Sequence, residues 1–160
     1  VYGAWANFNH PYIEVEDTAA ALLRFKNGAM ATIVVSNSQD PALYGKVHIF
    51  GSNGASVGVQ TDGGAMFIAG MTGITEPPVL DLWKVRGEED CMERWNKEDS
   101  EAFLSVDSTY YYHQLQLEDF LNAVRDGRRP LVTAEDGLRT VQIFDAIYRS
   151  NQEHRPVDFD

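Results

Sequence analysis

The chain has 160 residues, with 13 Lys and Arg against 24 Asp and Glu for a formal charge of −11, and it is 44% hydrophobic and 23% charged. Those proportions fit a soluble globular domain with one core and argue against a disordered chain. No apolar run approaches the roughly 20 residues that cross a bilayer as a helix, and the acidic balance argues against nucleic acid and anionic membranes as partners, since both are held through Lys and Arg.

The sequence starts at Val1 without an initiator Met, and a strand-like alternation begins at once, so a piece of a longer protein is expected. Val1 to Asn9 reads as a first strand. Asp17 to Lys26 then runs into Asn27-Gly28, and Ala29 to Asn37 follows. Asn-Gly between two apolar runs is a strong hairpin signal, because a tight type I′ turn needs positive φ at both central residues. A two-residue loop pairs Lys26 with Ala29, Phe25 with Met30 and Leu23 with Thr32. Ala19, Ala21, Leu23, Phe25, Met30, Thr32 and Val34 then share one face. Ala20, Leu22, Ala31, Ile33 and Val35 take the other, so the middle of the hairpin is apolar on both sides.

Further strands are expected at Lys46 to Phe50, Ser56 to Gln60, Ala65 to Ile68 and Val79 to Val85, with Gly51-Ser52-Asn53-Gly54 as a turn between two of them. Residues 76 to 160 carry most of the acidity, nineteen acidic against ten basic residues. Its densest part, Glu88 to Asp107, reads as a solvated loop, with a metal or cation site as the alternative.

Two helices close the chain. Leu117, Phe120, Leu121 and Val124 fall on one stripe of a helix from about His113 to Asp126, ended by Gly127. Thr133-Ala134-Glu135-Asp136 has the spacing of a capping box and opens a second helix that stops near residue 153. Val157 to Phe159 are placed to add a short strand. Two helices cover one face of a sheet, so the other apolar face is expected to meet another domain or subunit, an oligomer above all.

Chemistry is sparse. There is no G-x-G-x-x-G, Walker A, H-E-x-x-H or G-x-S-x-G pattern, and His10, His48, His113 and His154 lack local metal-ligand spacing. The single Cys91 forms no internal disulfide, so nothing calls for an oxidising compartment and a cytoplasmic protein is the default. Three residues stand out for substrate contact. Tyr112 and His113 follow an aromatic run at a helix start, where a neutral imidazole beside hydroxyls suits a polyol. Asn37 lies in Ser36-Asn37-Ser38-Gln39, whose amides and hydroxyls suit a carbohydrate or simply make a turn. His10, in Asn9-His10-Pro11-Tyr12, reads as a surface loop residue. Met66, Met71 and Met92 read as gap fillers, and Trp5, Trp83 and Trp95 as packing.

The order of these pieces resembles a known family. Val15-Glu16-Asp17-Thr18, Phe25-Lys26-Asn27-Gly28-Ala29, Ile49-Phe50-Gly51-Ser52-Asn53-Gly54-Ala55, Gly127-Arg128-Arg129-Pro130-Leu131 and Glu135-Asp136-Gly137-Leu138-Arg139-Thr140 together are similar to the C-terminal domain of the Gfo/Idh/MocA oxidoreductases. The resemblance implies an α+β domain: an open-faced, largely antiparallel sheet with two C-terminal helices on one face and the other face available for subunit contacts. It also implies an absent N-terminal Rossmann domain that binds NAD or NADP, and a sugar, inositol or related polyol as substrate. The family's glycine-rich nucleotide turn, Glu-Lys-Pro tripeptide and Asp-x-x-x-His motif do not occur in this chain. A single domain over residues 1–160 is therefore expected, inactive alone and holding no cofactor or metal. The rival expectations are a stand-alone binding or scaffold protein of the same fold and a small metal-dependent hydrolase using the acidic stretch.

Overall fold

The computed structural model describes residues 1–39, 45–61, 77–108 and 110–159. They form an α+β fold with six strands, β1 (Tyr2–Ala6), β2 (Thr18–Arg24), β3 (Met30–Ser36), β4 (Lys46–Phe50), β5 (Ser56–Gln60) and β6 (Val79–Lys84), and three helices, α1 (Cys91–Leu104), α2 (Tyr111–Asp126) and α3 (Ala134–Glu153). The expected strand at Ala65 to Ile68 lies outside the described residues, as do Met66 and Met71. The chain divides into two compact units, Val1–Ala42 with Ala123–Asp160, and Leu43–Asn122.

The first unit holds an antiparallel sheet in the order β1-β2-β3. Its hairpin differs by one residue from the register that Asn27-Gly28 implies. The loop is Lys26-Asn27-Gly28. The Phe25 amide donates to the Ala29 carbonyl at 2.9 Å, and the Gly28 amide to the Phe25 carbonyl at 2.9 Å. Gly28 sits at φ 90°, and Asn27 Oδ1 accepts from the Ala29 amide at 3.0 Å. This is a three-residue loop in which a type I turn is followed by a left-handed glycine. Leu23 therefore pairs with Ala31 and Ala21 with Ile33. A one-residue slip moves every side chain of β3 to the other face. Ile33 and Ala31 thereby join Ala21 and Leu23 in the core, while Met30 and Val34 turn outward with Leu22 and stay exposed.

Helix α3 packs on β1 and places Ile147 and Ile143 against Ala21, Leu23 and Ile33. β1 is an edge strand, and an edge leaves amides without partners. Here α3 supplies them: Ser150 Oγ accepts from the Gly3 amide at 3.0 Å and Asn151 Oδ1 from the Trp5 amide at 3.2 Å. Ser150 is fully buried and donates onward to the Arg155 carbonyl at 2.8 Å. The tail continues along the same edge, Val1 and Val157 exchanging backbone hydrogen bonds of 2.7 and 2.8 Å. The capping box is present as the sequence implies, with Thr133 Oγ1 accepting from the Asp136 amide and Asp136 accepting from the Thr133 amide.

The second unit holds the antiparallel sheet β4-β5-β6, with a bulge at Gly58/Val59. Its first hairpin repeats the turn chemistry of the first unit: Asn53 Oδ1 accepts from the Ala55 amide at 3.1 Å beside a positive-φ Gly54. The acidic stretch expected as a loop is largely helix α1. Its charges face water and pair along the helix, Arg94 with Glu98 and Lys97 with Glu101. Trp95 and Phe103, eight residues apart and so on one side of a helix, supply the apolar contacts that the charge count hides. Trp95 packs edge-on against Trp83 of β6 at 4.8 Å, Phe103 is buried, and the Asn96 amide group closes the β6 edge by bonding both the N–H and C=O of Leu80.

Candidate functional site

Polar groups converge at one end of the first sheet, where β1 ends, β2 begins and β3 ends. The loop from Asn7 to Asp17 is held by two side chains. Asn7 Nδ2 donates to the carbonyls of His10, Ile13 and Val15 at 2.8, 3.1 and 2.9 Å, and its Oδ1 accepts from the His10 amide at 3.0 Å. All three of these carbonyls belong to the loop, so one amide group fixes its path. Asp17 is the second anchor. Its buried carboxylate accepts from the Phe8 amide at 3.0 Å, the Asn9 amide at 2.7 Å and the His10 imidazole Nδ1 at 3.0 Å. Burial by itself raises a carboxylate's pKa. Here the Asn9 amide, the His10 ring, the Phe8 amide and the Thr18 hydroxyl outweigh it and hold Asp17 well below the usual carboxylate range.

An ionised carboxylate only accepts hydrogen bonds, so His10 donates to Asp17 through its Nδ1–H and Nε2 is the nitrogen left for another partner. Nε2 makes no hydrogen bond to any described residue. The ring meets that of Tyr12 edge-on at 5.7 Å, and Tyr12 is 79% exposed. Next to Asp17, the hydroxyls of Thr18, Ser36 and Ser38 form a triangle of 2.9, 3.1 and 3.3 Å contacts, and Asn9 Nδ2 reaches the Ser38 carbonyl at 3.1 Å.

Asn37, expected at a binding surface, lies in this cluster. Its backbone amide donates to the Asp17 carbonyl at 2.9 Å and its exposed side chain makes no hydrogen bond to a described residue. Tyr112 and His113 occupy the first turn of α2 in the second unit. Tyr112 stacks on Phe103 at 6.3 Å and meets Tyr111 edge-on at 5.3 Å, while His113 is exposed. On sequence alone His10 reads as a surface loop residue, and no motif marks Asp17 or Asn7 as functional. The available signal was an Asn and an Asp bracketing a short loop rich in Asn, His and Pro, residue types that bond to backbone in turns.

The second unit has its own imidazole–carboxylate pair. Asp81 of β6 accepts from Lys46 Nζ at 2.8 Å and lies 2.9 Å from His48 Nε2, both on β4. The link passes over β5 at Gly58, where a Cβ would run into the His48 ring and lie 2.8 Å from Asp81 Oδ1. The Lys46 hydrogen bond, opposed by partial burial and helped by His48, lowers the Asp81 pKa.

Within the first unit, an open groove runs between sheet and helix, lined among others by Ala19, Ile33, Val35 and Phe144. At its rim the Tyr148 hydroxyl donates to Glu16, which together with burial raises the Tyr148 pKa. Among the described residues no three His, Cys, Asp or Glu side chains converge as for a metal ion, and no helix is long and apolar enough to cross a membrane.

Known proteins share both the sequence pattern and the fold. Residues 1–159 match the model of an oxidoreductase family, C-terminal alpha/beta domain (GFO_IDH_MocA_C). Among solved structures, the chain is similar to the WlbA dehydrogenase from Bordetella pertussis in complex with NADH and UDP-GlcNAcA, at 25% identity and a TM-score of 0.68. That similarity covers 99% of this chain and 42% of the WlbA chain, so the chain spans less than half the length of that protein. No curated protein sequence matches.

Proposed function

Because the chain belongs to the Gfo/Idh/MocA oxidoreductase family, as its C-terminal alpha/beta domain, we propose that it forms the substrate-side half of an NAD(P)-dependent oxidoreductase acting on a sugar, inositol or related polyol. The observation that carries this reading is the likeness of nearly the whole chain to part of a dehydrogenase solved with NADH and a sugar nucleotide. The nicotinamide cofactor belongs to an N-terminal Rossmann domain in this reading. A dinucleotide cradle needs a glycine-rich turn leading from a strand into a helix. The described turns at Gly28 and Gly54 instead join antiparallel strands, so these residues do not fit the cofactor.

In this reading the chain supplies substrate contacts, with Asn37 in the first unit and Tyr112 and His113 in the second as candidates, and a subunit interface. The interface proposal is supported by the outer face of the first sheet, where Leu22, Met30 and Val34 are exposed together. The enzyme is proposed to be cytoplasmic on the ground of composition. The test is to assay the protein carrying this domain with NAD⁺ and NADP⁺ over a panel of sugars and inositols, following absorbance of the reduced nicotinamide. Cofactor reduction by at least one polyol is the expected result, and none by any of them sinks the reading.

A further inference from the structure

We propose that His10 is a polyol-binding residue whose free Nε2 forms a hydrogen bond with a ligand hydroxyl, with the exposed ring of Tyr12 beside it as a stacking surface. The proposal rests on the reading that this domain faces a polyol, and it assigns to that role a residue outside the three named above.

Asp17 does not depend on His10 for its partners, since the Phe8 and Asn9 amides already bond its carboxylate. The imidazole therefore sits on a fixed acceptor with one nitrogen left over. The ring is also positioned before any ligand arrives. Asn7 bonds both the N–H and the C=O of His10, so backbone and ring are both held and little freedom is lost on binding.

The chemistry of the site selects the ligand. With Nδ1 engaged by Asp17, Nε2 is the nitrogen left for a ligand, and a sugar hydroxyl, which both donates and accepts, is a partner of the right kind. Tyr12 projects an aromatic ring into solvent at 79% exposure from a loop that is otherwise tied down. An exposed, rigid ring next to a hydrogen-bonding group suits a ligand with one apolar and one polar face. A sugar or cyclitol ring has both.

The test uses the 160-residue chain without cofactor. The imidazole ¹⁵N signals of His10 are followed by NMR during titration with glucose, myo-inositol and, as the contrasting probe, inorganic phosphate. A saturable Nε2 shift with glucose or inositol is expected. In His10→Asn the side-chain amide keeps a donor toward Asp17 but has no group at the position of Nε2. Affinity should then fall roughly three- to tenfold, as for the loss of one uncharged hydrogen bond, with the Phe8 and Asn9 amide signals in place. Tyr12→Ala, which leaves the Asp17 contacts intact, should weaken binding independently. No Nε2 shift with either polyol in the unsubstituted chain overturns the proposal, as does response to phosphate alone, or equal polyol affinity in His10→Asn. Absence of nicotinamide reduction by the longer protein, with His10 of the 160-residue chain still responding to polyol, removes the oxidoreductase reading and leaves this one.

Discussion

His10–Asp17 in the first unit and His48–Asp81 in the second join the same two groups, yet they are built in opposite ways. The Asp17 side chain is 0% exposed and is bonded first by backbone amides, with the imidazole as an added arm through Nδ1. The Asp81 side chain is 20% exposed and, among the described residues, bonded by side chains, with His48 reaching it through Nε2 alongside Lys46. In the first pair the carboxylate organises the chain and the imidazole is presented. In the second, a carboxylate staples β6 to β4 across a glycine, and each partner has water as an alternative. Burial of the carboxylate, rather than the pairing itself, separates a preorganised site from a surface contact.

The strongest way to break the contrast is to remove each carboxylate. Asp17→Ala strands two backbone amides in a protected loop. It is expected to lower the melting temperature more than any single change at Asp81, Gly58 or Lys46, and to speed exchange of the Phe8 and Asn9 amides by about tenfold or more. Asp81→Ala leaves only side chains that can turn to water, so its fall is smaller. Equal losses measured by thermal denaturation would erase the distinction.

Acid sharpens it next. Both carboxylates have folded-state pKa values below the ordinary one, so each adds stability that is complete above the unfolded value of about 3.9 and is withdrawn as pH falls through the folded value. The advantage of the unsubstituted chain over Asp17→Asn should therefore hold from neutral pH to about pH 5 and shrink below about pH 4. The corresponding advantage over Asp81→Asn should be smaller throughout. Melting curves between pH 3 and pH 7, on the order of one per unit, check both; a constant difference for Asp17→Asn down to the lowest pH contradicts the assignment.

The same contrast explains what the sequence revealed. Strands and helices with a regular apolar period were legible, β4 and β5 to the residue, and the capping box at Thr133 identified the start of α3 because its chemistry is local. The hairpin register was missed by one because Asn27-Gly28 is compatible with a two- or a three-residue loop, and burial of Ile33 and Ala31 with Leu23 favours the longer one. Helix α1 was hidden because its charges outnumber the two aromatic anchors that dock it. The Asp17 cluster had no periodic signature at all. Two of its partners are backbone amides, which every residue but proline carries, so only the path of the loop reveals that Asp17 collects them.

Gly58 offers a cleaner cut through the second pair. A methyl group there enters the space of the His48 ring and approaches Asp81 Oδ1 to 2.8 Å. His48 is a side chain at the surface of a short sheet, so Gly58→Ala should rotate it away and break its contact with Asp81 while the strands stay paired. The expected reading is loss of coupling between the His48 and Asp81 NMR signals on acid titration, with β4–β5 amide protection kept. Loss of that protection would mean that Gly58 is needed by the sheet itself.

The smallest effect is the most discriminating. Lys46 Nζ lies 2.8 Å from Asp81 Oδ2, but the Lys46 side chain is 44% exposed. Exposed ion pairs trade protein contacts for equally good water contacts and are screened by salt. Lys46→Met should therefore lower the melting temperature by under about 3 °C at low ionic strength and by nothing measurable in about 0.5 M NaCl, where the Debye length falls below the separation of most surface charges. The Asp17 anchor, satisfied by amides that carry no net charge, has no such dependence, so Asp17→Asn should cost the same in both salts. A salt-dependent Asp17→Asn would show that its carboxylate is held mainly by the charge of an imidazolium at His10, in place of the dipoles of Phe8 and Asn9.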